Sequence, residues 1–403
     1  MMREVYADHA ATTPLAPEAL AAMLPYLGDA GFGNPSSVHR RGEATRDAME
    51  RARAQVAGLL GALPEEIVFT ATGSEANNLA LKGLAWGAPA GRRRVVASAI
   101  EHPSVLEAAR HLESRGFGLT LVPVTPGGLV DPERLAAALG DDVALVSVQW
   151  VNNEVGTVQP VRAIAERVHA CGARFHCDAV QAAGKLAIDV GSVEVDLLSL
   201  AAHKLHGPQG AAALYVRRRL RLVPLVHGGH QERSRRAGTE NVPAIVGFGA
   251  AAERAAARIA AAEPERIGRL GARLEAGLLS AIPDARRNGE PSLRVPGIVN
   301  VCFSGLDGEA VLHELDRDGI TVSTGSACSA ASPGPSHVLT AMGLRPEDAH
   351  ASVRFSLGEG NDEAEVDRIL RAVPAALERV RALAGREGSA RGVASPATGG
   401  AGA

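Results

Sequence analysis

The sequence predicts an α/β protein: a large domain on a mainly parallel sheet, followed by a smaller α+β domain. Three observations carry that prediction. From residue 67 short apolar runs alternate with amphipathic stretches, the rhythm of strands joined by crossover helices. After Asp284 the texture changes to mixed strands and helices. With 403 residues, 46% of them hydrophobic, the chain is long enough for two cores.

Residues 14–60 are Ala-rich with helical periodicity, broken by the turn Gly31-Phe32-Gly33-Asn34-Pro35-Ser36-Ser37. Strand-like runs follow at Ile67–Thr70, Arg94–Ala97, Leu119–Val124, Val143–Val148, Arg174–Cys177, Asp196–Leu200 and Ala212–Val216. Helical patterns fall at about 74–86, 104–115, 132–139 and 160–171. Residues 242–280 read as one long Ala/Arg/Glu helical region. Beyond it come Ile298–Phe303, Glu309–Asp318, Ile320–Ser323, Ser352–Ser356 and Asp362–Ala384. The expected division is 14–260 as the large domain and 1–13 with 261–385 as the small one. Residues 386–403, Gly/Ala/Ser-rich and aperiodic, are expected to be a disordered tail.

Charge and composition exclude several classes. The net charge of -3 gives no basic field for nucleic acid or an anionic membrane. No apolar run approaches the roughly 18 residues that span a bilayer. Residues 1–8 lack the apolar segment of a signal peptide, so a cytoplasmic protein is expected. The four cysteines, Cys171, Cys177, Cys302 and Cys328, show no paired spacing, which argues against a disulfide framework and a structural zinc site.

In open parallel sheets ligands bind at the carboxyl ends of strands, and the chemically interesting residues fall there. Lys204 follows the run Asp196–Ala202 and precedes a turn forced by Gly207, Pro208 and Gly210. A desolvated lysine there becomes a nucleophile toward carbonyls, which suggests a Schiff base with pyridoxal phosphate; a snorkelling strand-end lysine is the plain alternative. Gly73 and Ser74, between a strand and a helix start, suit a phosphate at the helix N-terminus, or Ser74 simply caps that helix. Asp178 ends another strand, where a pyridinium N–H or a helix cap would occupy its carboxylate, and Gln181 follows within reach of a ring oxygen. His102, just after another strand, could stack on a ring and relay protons, or be an inert loop histidine. Asn152 and Asn153 follow the next strand as polar anchors or turn residues. Arg354 lies in an apolar strand and needs an anion, either a substrate carboxylate or a structural carboxylate. Cys328 sits in the small-residue run Gly325-Ser326-Ala327-Cys328-Ser329-Ala330-Ala331-Ser332, reactive if its pKa is lowered.

In this order the motifs resemble the cysteine desulfurases, fold type I enzymes of the aminotransferase class V group. The resemblance runs from Tyr6 to about Val380. It rests on Ala11-Thr12-Thr13-Pro14, Gly33-Asn34-Pro35-Ser36-Ser37, Glu101-His102, Val151-Asn152-Asn153-Glu154-Val155-Gly156, His176-Cys177-Asp178-Ala179-Val180-Gln181, His203-Lys204-Leu205-His206-Gly207-Pro208-Gln209-Gly210, Arg235-Arg236-Ala237-Gly238-Thr239-Glu240-Asn241, the Cys328 run and Ser352-Val353-Arg354-Phe355-Ser356-Leu357-Gly358. The Cys328 stretch looks like that of the housekeeping iron–sulfur subgroup.

The resemblance implies a pyridoxal 5'-phosphate enzyme with Lys204 as Schiff-base lysine, Asp178 on the pyridine nitrogen, Gln181 on the ring oxygen and His102 stacked on the ring. Gly73, Ser74 and His203 would hold the phosphate, and Thr239 would reach the phosphate of a neighbouring subunit in a homodimer. Asn153, also counted with the cofactor contacts, would hold the substrate with Asn34 and Arg354. Cys328 would take sulfur from L-cysteine as a persulfide, release L-alanine and pass the sulfur to an acceptor such as an iron–sulfur scaffold or tRNA-thiolation enzyme. No resident metal is implied, although Cys328 could transiently ligate a cluster. A selenocysteine lyase or a class V aminotransferase shares the scaffold. One departure stands out: the family's Ser-x-His-Lys has Ala201 in place of the serine, so a phosphate contact is lost or supplied by water or Ser199.

Overall fold

A computed structural model describes residues 4–325 and 334–391. Cys328 lies outside the described residues. The strands, in chain order, are β1 (Val5–Tyr6), β2 (Ile67–Thr70), β3 (Arg94–Ser98), β4 (Gly118–Val122), β5 (Val143–Ser147), β6 (Arg174–Asp178), β7 (Leu197–Ala201), β8 (Ala212–Val216), β9 (Ala285–Asn288), β10 (Ile298–Phe303), β11 (Ile320–Thr321) and β12 (Ser352–Ser356).

Seven of them form one sheet in the order β2-β8-β7-β6-β5-β3-β4. The five from β7 to β4 are parallel, and β8 is antiparallel to both its neighbours. The near-continuous apolar character of these strands has a direct cause. Successive side chains point to opposite faces, and both faces are covered. Val95, Leu145 and Leu197 join the core beneath helix Gly73–Trp86, while Val96, Val146 and Leu198 join the core on the other face.

The second sheet has the order β12-β10-β9 and is antiparallel. Its core gathers Val299, Val301, Val353 and Phe355 with Leu270, Leu274 and Leu278 of helix Glu263–Ala281 and Val366, Ile369 and Val373 of helix Glu363–Arg391.

Three expectations change in detail. The helical region 242–280 is two helices, Val242–Ala260 and Glu263–Ala281, because Ala262 turns left-handed at φ 56° and ends the run. The final helix continues to Arg391, six residues into the stretch expected to be disordered. Once 23 residues are helical, each further one adds a hydrogen bond without a new nucleation cost. The N-terminal arm does more than lie on the second sheet. β1 pairs with β11, but Thr13 then bonds the Lys204 turn. Its backbone N–H and its hydroxyl both donate to His203 O, and the hydroxyl accepts from His206 N–H.

β2 runs parallel to β7 across the intervening β8, so β2, β3, β5, β6 and β7 all end at one edge. That edge is where Gly73, His102, Asn153, Asp178 and Lys204 converge.

Candidate active site

A cavity of about 340 Å³ opens at this edge, lined by Gly73, Ser74, His102, Asn153, Asp178, Gln181, His203, Lys204 and Arg354. It falls in the volume range of small-molecule sites. The structure thus brings together nine of the residues singled out from sequence.

Lys204 sits on a single helical turn, Ala202–Lys204, directly after β7. Its Nζ donates to Ala10 O and Ala11 O, each at 2.6 Å, so the arm delivers two carbonyls to the amine. Asp178, the last residue of β6, is 6% exposed. Its Oδ1 accepts from Val180 N–H at 3.0 Å and its Oδ2 from Asn77 Nδ2 at 2.7 Å. The same Asn77 Nδ2 donates to Ser104 Oγ at 2.9 Å, and Ser104 Oγ meets His102 Nδ1 at 2.7 Å. Ser104 N–H also donates to that Nδ1, which leaves the ring proton on Nε2. Burial keeps the His102 pKa below its ordinary value against the pull of Asp178, so the ring is neutral. Asp178, Asn77, Ser104 and His102 therefore form one connected chain of polar groups.

At the other side, Thr72 caps helix Gly73–Trp86 by accepting from Glu75 N–H at 3.0 Å. The alternative that Ser74 is the cap is therefore corrected: Ser74 is the second helical residue and lines the cavity. A Cβ on Gly73 would stand 3.2 Å from Val180 Cγ2, so glycine keeps this wall thin. Burial lowers the His203 pKa to about 4, and its Nδ1 meets Thr12 Oγ1 at 3.1 Å.

The two asparagines part company. Asn152 is fully buried and structural: Oδ1 accepts from Glu154 and Val155 N–H, and Nδ2 donates to Ile100 O. Asn153 faces the cavity. Arg354, 2% exposed, has an anion already. Nη2 donates to Asp8 at 2.7 Å and Nη1 to Asn153 O at 2.8 Å, while Nε is buried without a partner. The structural carboxylate alternative is thus realised in this chain, with the guanidinium still on the cavity wall.

Two predicted residues lie elsewhere. Asn34 is outside the cavity and exposed; its Oδ1 accepts from Ser36 N–H, the bond an Asn-Pro-Ser turn favours. Thr239 is exposed and outside it too. Its neighbour Arg236 reaches Glu75 at 2.8 Å, tying that segment to the Gly73 helix. The suggestion that Ser199 replaces the missing serine is corrected. Ser199 is fully buried below Ala201 and meets His176 Nε2 at 3.0 Å.

Sequence reasoning missed Asn77, Ser104, Glu154, His337 and the carbonyls of Ala10 and Ala11. Asn77 had a signal, since it lies one helical turn after Gly73 and so shares its face. His337, whose Nε2 meets Glu101 O at 2.9 Å, had none. Glu101 is buried with its pKa pushed up to about 8. Glu154 is pushed up by burial too, and Ser336 donates to it at 2.5 Å.

The chain matches the model of the aminotransferase class-V family over residues 5–369. It belongs to the class V aminotransferase family. It is 46% identical over 382 residues to a protein named cysteine desulfurase from Trichormus azollae, covering 95% of each chain. It is 45% identical over 379 residues to a cysteine desulfurase IscS from Methanosarcina thermophila, covering 94% and 93%. Among solved structures, a NifS-like protein superposes with a TM-score of 0.87 at 36% identity, over 93% of this chain and 99% of that one. A structure described as SspA in complex with cysteine gives 0.76 at 38% identity, over 88% and 98%. The fold is that of the fold type I, pyridoxal phosphate-dependent enzymes, and this chain is one.

The residues present fit that cofactor. A buried carboxylate, a lysine amine and the N-terminus of the Gly73–Trp86 helix, where glycine keeps the wall thin, line one cavity. Asn77 Oδ1 is buried beside them without a protein partner, a polar atom for a ligand or water to meet. No helix of the described residues is long and apolar enough to cross a membrane.

Proposed function

We propose that this chain is a cysteine desulfurase, which takes the sulfur of L-cysteine onto Cys328 as a persulfide and releases L-alanine. The observation that carries the reading is the convergence of Lys204, Asp178, His102 and Arg354 on one cavity, in a chain 46% identical to a cysteine desulfurase over 95% of its length.

Pyridoxal phosphate supplies an electrophilic carbonyl and an electron-withdrawing ring. The remaining work belongs to side chains. Lys204 Nζ would tether the cofactor and, as a free amine, would be the base for the proton on the substrate Cα. The Asp178 carboxylate would hold a proton on the ring nitrogen, and Asn77 keeps that carboxylate aimed. Gln181 Nε2–H would meet the ring oxygen. His102, with its proton on Nε2, would stack on the ring and could donate that proton. Gly73, Ser74 and His203 would hold the phosphate, without the serine hydroxyl that Ala201 replaces. Arg354 and Asn153 orient the substrate carboxylate, for which Arg354 must share its fork with Asp8.

The reading extends to a cytoplasmic homodimer, in which Thr239 completes the partner's site. Residues 14–260 form the cofactor lobe, and 1–13 with 261–385 the small lobe. The persulfide goes to an acceptor protein of iron–sulfur cluster assembly or tRNA thiolation.

The test is direct. The holoenzyme is given L-cysteine, alanine is quantified, and the peptide containing Cys328 is weighed for one added sulfur atom. The wild type should yield both; Cys328→Ser should bind the cofactor normally and yield neither persulfide nor more than about a hundredth of the alanine. Full alanine release by Cys328→Ser would remove Cys328 as the acceptor.

A further inference from the structure

A second, smaller chamber of about 40 Å³ lies beside Lys204. Lys204 lines both spaces. The chamber holds a second lysine, Lys185, in the turn that follows β6. A lysine is seldom left in such a place without a task, because desolvating its ammonium is costly. The desolvation is visible in its pKa, lowered to about 7, to which the nearby charges of Lys204 and Arg354 also contribute.

Lys185 Nζ donates to Gln181 Oε1 at 2.5 Å. Gln181 Nε2 donates to Ala10 O at 2.8 Å, and Lys204 Nζ competes for that same carbonyl at 2.6 Å. Lys185 is therefore the one anchor of the Gln181 amide, among the described residues, that Lys204 does not share. An amine donates and a carbonyl accepts, so the two neighbours agree on which end of the amide is oxygen. Nε2 carries two N–H groups. One is used by Ala10, and the other remains for the cavity that Gln181 lines.

We propose that Lys185 is a positioning residue that pins the Gln181 amide with an N–H, rather than its oxygen, directed at the bound cofactor. This rests on the reading of Gln181 as a partner of the ring oxygen. An N–H donated there stabilises the oxygen as an anion and loosens the proton shared between it and the Lys204 nitrogen. Without Lys185 the amide loses an anchor, Oε1 is left unpaired and the N–H is no longer held in place. The other titratable groups facing the chamber are His9, His206, Arg254, Arg258 and Glu359. His9 is neutral, its pKa lowered by burial to about 4. Glu359 pairs with Arg254 and Arg258, and His206, lowered by burial, stands 3.6 Å from Glu359.

The experiment titrates the visible absorption band of the bound cofactor in holoenzyme, which needs no turnover. Lys185→Met, similar in volume and uncharged, should raise the midpoint by about one pH unit, or about 1.4 kcal/mol. In a Gln181→Leu background the same substitution should move it by less than about a third of that. Lys185→Gln keeps a donor and should shift it less than Lys185→Met does. An unmoved midpoint in Lys185→Met overturns the inference. So does an equal shift in the Gln181→Leu background, which would mean that Lys185 acts on Lys204 by charge alone. If Lys185→Met yields no folded holoenzyme, Lys185→Gln decides the matter: a wild-type midpoint both there and in Gln181→Leu would overturn the inference. A wild-type protein with no visible band would defeat the functional reading itself, whereas a normal wild-type band with an unmoved variant defeats only this inference.

Discussion

The floor of the main cavity and its outer wall are built differently. The floor comes from strand ends of one parallel sheet, and its polar groups are tied to each other: Asp178 to Asn77, Asn77 to Ser104, Ser104 to His102. The outer wall is assembled from distant parts of the chain. Arg354 of β12 is held by Asp8 of the arm and by Asn153 O, and Glu154 by Ser336. A floor on strand ends is preorganised, because the sheet and both its cores would have to yield before it moved. The wall depends on one charge pair, Arg354–Asp8, whose guanidinium a ligand carboxylate can join, and on two further hydrogen bonds. The cofactor side of the site is thus expected to be stiff and the substrate side adjustable.

The comparison is tested first at the floor. Lys204→Ala should abolish the visible band of the covalently held cofactor and reduce alanine formation by at least about a hundredfold, with the rest of the floor intact. A normal spectrum would take Lys204 out of its role. The wall should respond more mildly and in KM. Arg354→Ala should raise the KM for cysteine about tenfold to a hundredfold, the worth of a charged hydrogen-bond pair, with the cofactor spectrum unchanged. Asp8→Ala should move KM less than Arg354→Ala, because it frees the guanidinium without removing it. Equal effects would mean that Arg354 works only as a structural ion pair.

The smallest effect concerns pH and the floor's support. Glu101 accepts from Ser98 and from Gln149 N–H, and burial raises its pKa from 4.5 to about 8. A carboxyl that binds its proton more tightly folded than unfolded makes stability fall as pH rises between those two values. Glu101→Gln removes that titration. Its melting temperature should decline less than the wild type's from about pH 5 to about pH 8, by a few degrees. Parallel curves would show that Glu101 is ionised in the folded protein.

Much of the floor was legible beforehand, and the reason is local. A parallel strand buried on both faces is mostly apolar, so the charged residues that follow Leu200 and Cys177 mark its end, and strand ends are where such sheets bind ligands. The limits of β2, β8, β10 and β12 are also those expected from the sequence. Asn34 shows the limit of motif reading, since its side chain is used by its own turn.

By itself, then, the order of residues determined the alternation of elements, the edge at which they end, and that Lys204, Asp178 and His102 stand along it. Only the tertiary structure decided which groups pair across that edge. Asp8 meets Arg354 over 346 positions, Ala10 O meets Lys204 over 194, and Asn77 meets Asp178 over 101. Such pairings arise because a buried charge must find a partner wherever packing brings one, and no periodicity along the chain records which partner packing will bring.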